Sequence, residues 1–301
     1  MAANNRRENK KSVFDLLNYF YMLIILLLTV YPFYYCLVLA FNEGTDALRG
    51  GIYLWPRKFV LDNFSFILGN DLLLTAAKNS LLRTLFGTTL SVALNALVAY
   101  GLSKQFLAGR KFYLLLFAVT MYISGGLIPS YIIMGKLGLI DSFLIYILPG
   151  AFNFFYTLLL MAYYQAIPDS LVESAEMDGA GNYYIFYKII LPLSLPVIAT
   201  VALFAGVEQW NNYLDTMIYT KSSSLETLQS IMRKLINEAD IYNKMQEEMS
   251  KHGVTSSFQA AVSPFTIRVA TMIVTTLPIM FLYPFLQRYF VKGIMIGAIK
   301  G

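Results

Sequence analysis

The chain has 301 residues, 57% of them hydrophobic and 14% charged, and a formal net charge of +5. Soluble domains carry about 25% charged residues, so the composition excludes an ordinary soluble domain and indicates a membrane protein. Juxtamembrane Lys and Arg account for much of the positive balance, so no nucleic-acid partner is implied. The single cysteine, Cys36, permits no intrachain disulfide, and the lone His252 leaves no metal-ligand spacing.

Six runs lack Asp, Glu, Lys and Arg: 16–42, 84–103, 112–135, 142–168, 189–207 and 269–287. A helix needs about 20 apolar residues to cross a bilayer core of about 30 Å. Backbone groups in lipid must be bonded within the segment, and the alternation of a barrel strand is absent. The expectation is an all-α integral membrane protein with six transmembrane helices over about 16–41, 80–103, 112–134, 142–165, 191–212 and 269–290.

In chain order, segment 1–15 carries Arg6, Arg7, Lys10 and Lys11 and is expected in the cytoplasm. The first run is too long for a signal-peptide core. In the following loop, Trp55 and Phe59 fall where aromatic residues anchor at headgroup level. Ser124-Gly125-Gly126 and Pro129 are expected to break a helix near the outer end of span three. Loop 213–268 contains Leu225, Leu228, Ile231, Met232, Leu235, Ile236 and Ala239 at the spacing of an amphipathic helix. That helix packs on the bundle or forms part of a docking surface. With 1–15 cytoplasmic, the inside segments hold eleven Lys and Arg; 43–83 and Lys136 hold six. Leaving out the long loop, this places both termini in the cytoplasm.

Between spans four and five lies an acidic, glycine-punctuated stretch. Ser170 and Glu173 have the spacing of a capping box, and Asp169, Glu173 and Glu176 suit the positive end of a helix dipole. Gly179-Ala180-Gly181 should end that helix, since glycine tolerates the left-handed turn. Asn182 is a suitable cap for a second helix, and Pro192 is tolerated at the first turn of span five. The reading is a helix–turn–helix at the cytoplasmic face. Spacing alone leaves open whether it inserts into a groove of a soluble partner or lies at the membrane interface.

The stretch ESAEMDGAGNYYIFYKIILPLSLP, Glu173–Pro196, resembles the EAA motif of permease subunits in binding-protein-dependent ABC importers, especially carbohydrate importers. Glu173, Ala175, Asp178, Gly179, Ala180, Phe186, Ile189, Leu191, Pro192 and Pro196 match; Ser174 stands where alanine is usual. Asn79-Ser80, Trp210-Asn211 and the tail YPFLQRYFVKGIMIGAIKG extend the resemblance to maltose-type, MalG-like permeases. Loop and tail look closest to the branch serving alginate and pectin fragments (LplC-like).

The resemblance implies the type I ABC importer permease fold with a cytoplasmic coupling helix, over a permease domain at 16–292 with coupling helices at 169–190. It implies that Glu173, Ser174, Ala175, Asp178, Gly179, Ala180, Phe186 and Pro192 couple the chain to a separate ATPase. It also implies that the tail 293–301, through Gly293, Gly297, Lys300 and Gly301, reaches that ATPase. The implied partners are a second homologous permease, an ATP-binding subunit dimer, an extracytoplasmic binding protein and an oligosaccharide, in a bacterial cytoplasmic membrane.

No G-x-x-x-x-G-K-[ST] pattern occurs, so ATP and Mg are expected in the partner ATPase and no cofactor on this chain. No nucleophile–base pair is evident, so the chain is not expected to be an enzyme. Polar residues within spans usually face the bundle interior or a cavity. Asn95, Asn153, Gln209, Trp210 and Asn212, with Tyr156 as a sugar-stacking ring, are therefore candidates for the substrate path, or for interhelical bonds. The rival classes are a self-sufficient secondary transporter or channel, disfavoured by the charge-free runs, and an ABC importer for a non-sugar solute.

Overall fold

The computed structural model describes residues 13–237 and 263–298, with side chains for 14–237 and 263–281. The basic cluster before Val13, Ala239, Lys300 and Gly301 lie outside the described residues. Among those described, regular structure is helical, apart from one isolated bridge between Asn42 and Phe59. The chain divides into two units, 1–67 with 243–274 and 68–242 with 275–301.

In the first unit, α1 (Val13–Ala40) is apolar on all sides, and its side chains from Phe14 to Tyr34 are exposed. A helix that is hydrophobic all round belongs in lipid or against another apolar surface. Beyond it come α2 (Gly44–Leu48) and α3 (Asp62–Leu68). Buried Asn63 ties α3 to the end of α1, donating to the Ala40 and Asn42 carbonyls at 2.9 and 3.0 Å.

The second unit is built on α4 (Asp71–Ser103), capped by Asn70, whose side chain accepts from the Leu72 and Leu73 amides. Next come α5 (Arg110–Tyr122) and α6 (Leu127–Lys136), bent by 115°. The break falls at Ser124-Gly125-Gly126, where Gly126 takes φ +83°. A 3-10 turn (Phe143–Tyr146) precedes α7 (Phe154–Gln165). Then follow α8 (Asp169–Met177), α9 (Asn182–Ile185), a π-helical turn (Phe186–Ile190) and α10 (Leu191–Leu193). α11 (Leu195–Asn211), α12 (Leu214–Tyr219), a short turn (Ser223–Leu225) and α13 (228–237) complete this stretch. The last helix, α14 (Pro264–Ala298), runs through Gly293 and Gly297 without a break.

The six apolar runs thus take different forms. Those in α1, α4 and α14 are helices long and apolar enough to cross a membrane, and two more crossings result if each bent pair is one span. The second bent pair turns by 81° at Ser194, between Pro192 and Pro196. Neither proline can donate a helical hydrogen bond, which accounts for the π turn and the bend. The fourth run comprises the 3-10 turn and the 12 residues of α7.

α4, α7 and α11 pack together around Ala96, Ala99, Tyr156, Leu160, Val201 and Ala205. Small residues allow close approach. A Cβ at Gly87 would lie 2.7 Å from the Gln209 side chain, and one at Gly206 3.5 Å from Thr88 Oγ1.

Candidate functional site

The acidic stretch forms two elements joined by a tight turn. α8 starts at Asp169 behind Pro168, with no side-chain cap. The expected capping box is not formed. Ser170 lies inside the helix and its carbonyl accepts from Ser174 Oγ at 2.8 Å. Nor does Asn182 cap α9: it is the first helical residue, and Gly181 holds the cap position.

The C-terminal end follows the expected glycine chemistry. Gly179 is left-handed at φ +81°; its amide donates to the Glu176 carbonyl at 3.0 Å and that of Ala180 to Ala175 at 2.9 Å. These paired bonds are a Schellman turn. The turn closes α8 and points the chain back at the core.

α8 therefore has two sides. Glu173, Ser174 and Asp178 are exposed, and Met177 is 88% exposed. Val172, Ala175 and Ala180 pack against the α4–α7–α11 core, beside buried Ile185, Phe186 and Ile190. The Phe186 ring lies 5.0 Å from that of Tyr100 on α4. α8 is thus seated on the core through Val172, Ala175 and Ala180, next to buried Phe186.

At the other end of α11, a polar cavity of about 230 Å³ is lined by residues that include Ser91, Tyr146, Tyr156, Glu208, Gln209, Asn212 and Asp215. Arg83 of α4, 1% exposed, organises one wall. Its guanidinium donates to Gln209 Oε1 at 3.2 and 3.3 Å, to the Asn212 carbonyl at 2.9 Å and to Asp215 Oδ2 at 2.9 Å. It also lies 4.5 Å from the centre of the Tyr146 ring. Asn212 Nδ2 donates to the same Asp215 oxygen at 2.8 Å, and Tyr156 OH to Glu208 Oε2 at 2.8 Å. Burial holds the Asp215 carboxyl above the ordinary carboxylate range, against the pull of Arg83.

Of the proposed substrate-path residues, the structure gathers Tyr156, Gln209 and Asn212 at this cavity. Asn95 is instead a fully buried hub: it donates to the Ser91 and Ala151 carbonyls and accepts from the Asn153 amide and Thr157 Oγ1. Asn153 caps α7. Trp210 donates to the Thr275 carbonyl at 2.9 Å and lines a separate apolar groove with Thr84, Thr88 and Gly206. Asn79-Ser80 hold the segment after α12: Asn79 Nδ2 donates to the Ser224 and Glu226 carbonyls, and Ser80 Oγ accepts from the Leu228 amide. α13 buries Leu228, Ile231 and Met232.

Sequence reasoning missed Arg83, Glu208 and Asp215. Composition places Arg83 at the end of an outer loop, and Glu208 and Asp215 just outside the fifth run. The one available signal was their position at the margins of apolar runs, where a charge either ends a helix or lies buried with a partner.

Apolar helices, an exposed acidic helix seated on the core and a polar cavity in the same unit are the features of a helical membrane protein. The family model described as "Binding-protein-dependent transport system inner membrane component" matches residues 6–296, and the chain belongs to this family of transport permease subunits. It is 37% identical over 292 residues to the "Polygalacturonan/rhamnogalacturonan transport system permease protein YtcP" of Bacillus subtilis (strain 168), covering 97% of this chain and 100% of that one. It is 33% identical over 304 residues to "Protein LplC" of the same organism, covering 100% of both chains. A chain of a solved bacterial ABC transporter "involved in the import of the acidic polysaccharide alginate" superposes with a TM-score of 0.82 at 28% identity, covering 92% of this chain and 96% of that chain.

Proposed function

We propose that this chain is the membrane-spanning subunit of an ATP-driven importer for an oligosaccharide delivered by an extracytoplasmic binding protein. It works in a bacterial cytoplasmic membrane with both termini cytoplasmic. It pairs with a second homologous permease and rests on two ATP-binding subunits, which hold ATP and Mg. The observation that carries this reading is the seating of α8, exposed along Glu173, Ser174 and Asp178 and fixed to the core through Ala175, Ala180 and Phe186. In this reading the ATPase grips the exposed side, and its closure moves the core between inward- and outward-facing arrangements. The tail from Gly293 approaches the same ATPase.

The names of the similar permease and solved transporter point to a uronate-containing oligosaccharide. The cavity then recognises hydroxyls rather than carboxylates: Tyr156, Gln209 and Asn212 offer neutral polar groups, Glu208 an acceptor, and Arg83 is already held by Asp215. Reconstitution of the chain with its neighbouring permease, ATPase and binding protein tests the assignment. ATP-dependent uptake of pectin or alginate fragments, lost when the binding protein is omitted, is expected. Uptake by this chain alone, driven by an ion gradient, would contradict it.

A further inference from the structure

The segment between α1 and α3 folds back along α1. Its base is closed by the Asn42–Phe59 bridge, by Glu43 N donating to Lys58 O at 3.0 Å and by Val60 N donating to Phe41 O at 2.9 Å. The Phe41 and Phe59 rings stack at 5.3 Å. Arg57 braces the arm, donating to Asp46 Oδ2 at 3.0 Å and to the Gly50 carbonyl at 2.7 Å. One more bond fixes where the tip goes: the Tyr34 hydroxyl donates to the Leu54 carbonyl at 2.5 Å.

That bond sets a depth. Tyr34 stands six residues before Ala40, the last residue of α1, about 9 Å back along the axis at about 1.5 Å per residue. Helical side chains lean toward the N-terminus, so its hydroxyl is no nearer the helix end. The 28 residues of α1 measure about 42 Å, close to a whole bilayer with headgroups, whereas the hydrocarbon alone is about 30 Å. With α1 centred, Tyr34 lies about 4 Å inside the hydrocarbon boundary.

At that level the tip presents Tyr53, Leu54 and Trp55, which are 64%, 69% and 75% exposed. They continue the exposed apolar surface of α1, and Trp and Tyr are the residues that concentrate at the membrane–water interface. We infer that residues 53–55 form a wedge seated in lipid, just below the glycerol level of the leaflet that meets the C-terminal end of α1. Tyr34 is its tether.

The test uses the full importer in phosphatidylcholine–phosphatidylglycerol vesicles, with a nitroxide on Leu54→Cys in a Cys36→Ser background and, separately, on Trp55→Cys. Relaxation by oxygen should exceed relaxation by a water-soluble nickel chelate several-fold, the reverse of a label on exposed Gln105→Cys, between α4 and α5. Adding Tyr34→Phe should lower the oxygen preference at position 54. A label at 54 or 55 that meets nickel as freely as one at 105 would overturn the inference. So would one immobilised by sugar-loaded binding protein, because the tip would then be a protein-docking face.

Discussion

Arg83 and Asp215, 132 residues apart in the chain, form a 2.9 Å ion pair that joins the first half of α4 to the first turn of α12. The guanidinium has no exposed edge: Gln209, the Asn212 carbonyl and the Tyr146 ring take its other faces. A charge removed from water this completely is tolerated only with its partner in place.

Removing one partner should therefore cost more than removing both. Asp215→Ala leaves Arg83 buried and uncompensated, a loss of about 3–5 kcal/mol, seen as a lower melting temperature of the detergent-solubilised complex. Combining it with Arg83→Met should restore part of the loss. Additive losses would show that the two residues act independently.

Gly87 faces Gln209 so closely that an added Cβ would lie 2.7 Å from its amide carbon and nitrogen. Because Arg83 holds the Gln209 amide oxygen, the side chain cannot swing aside freely. Gly87→Ala should destabilise the complex by about 1–3 kcal/mol, and Gln209→Ala in the same background should relieve part of that. Thermal unfolding of the three variants checks this.

Asp141 clamps the segment after α12, accepting from the Lys221 and Ser222 amides at 2.9 Å each and from Ser222 Oγ at 2.5 Å. The Ser222 hydroxyl, then the two amides, hold its carboxyl below the ordinary range. A depressed folded pKa stabilises above the unfolded value of about 3.9 and loses that contribution as pH falls through the folded value. Hydrogen-exchange protection of Lys221 and Ser222 should persist at about pH 5 and fall only below about pH 3.9. In Asp141→Asn, which tolerates the same left-handed backbone (φ 56°), protection should be weaker and flat with pH. Protection unchanged down to about pH 2 in the wild type would contradict the clamp.

At the turn after α8, only glycine fits without strain. Gly179→Ala keeps its surroundings open, with nothing within 4 Å of the added carbon, yet forces a side chain into the left-handed region at about 1–2 kcal/mol. Transport per complex should fall while the amount of chain in the membrane stays near normal. Loss of the chain from the membrane would show that the turn serves folding rather than coupling.

What the sequence disclosed was set by how local the chemistry is. The break at Ser124-Gly125-Gly126 and the turn at Gly179 rest on glycine's own backbone freedom, and both are where the residues place them. The cap at Ser170 failed because α8 starts two residues earlier, with Pro168 at the cap position, and Ser174 bonds back to Ser170. The wall of the polar cavity was hidden for another reason. Arg83 reads as a loop charge until the fold brings Asp215 and Gln209 to it, and Asn95 reads equally as a cavity residue or an interhelical hydrogen bonder until its four partners are seen.

The central claim is that ATP hydrolysis in a partner subunit reaches this chain through the exposed side of α8. Sugar-stimulated ATPase activity and uptake by the reconstituted importer carrying Glu173→Lys test it most directly. Uptake should fall at least about tenfold, a change of about 1.4 kcal/mol in coupling, while the variant still assembles in the membrane. Uptake at the wild-type rate in the assembled variant would contradict it.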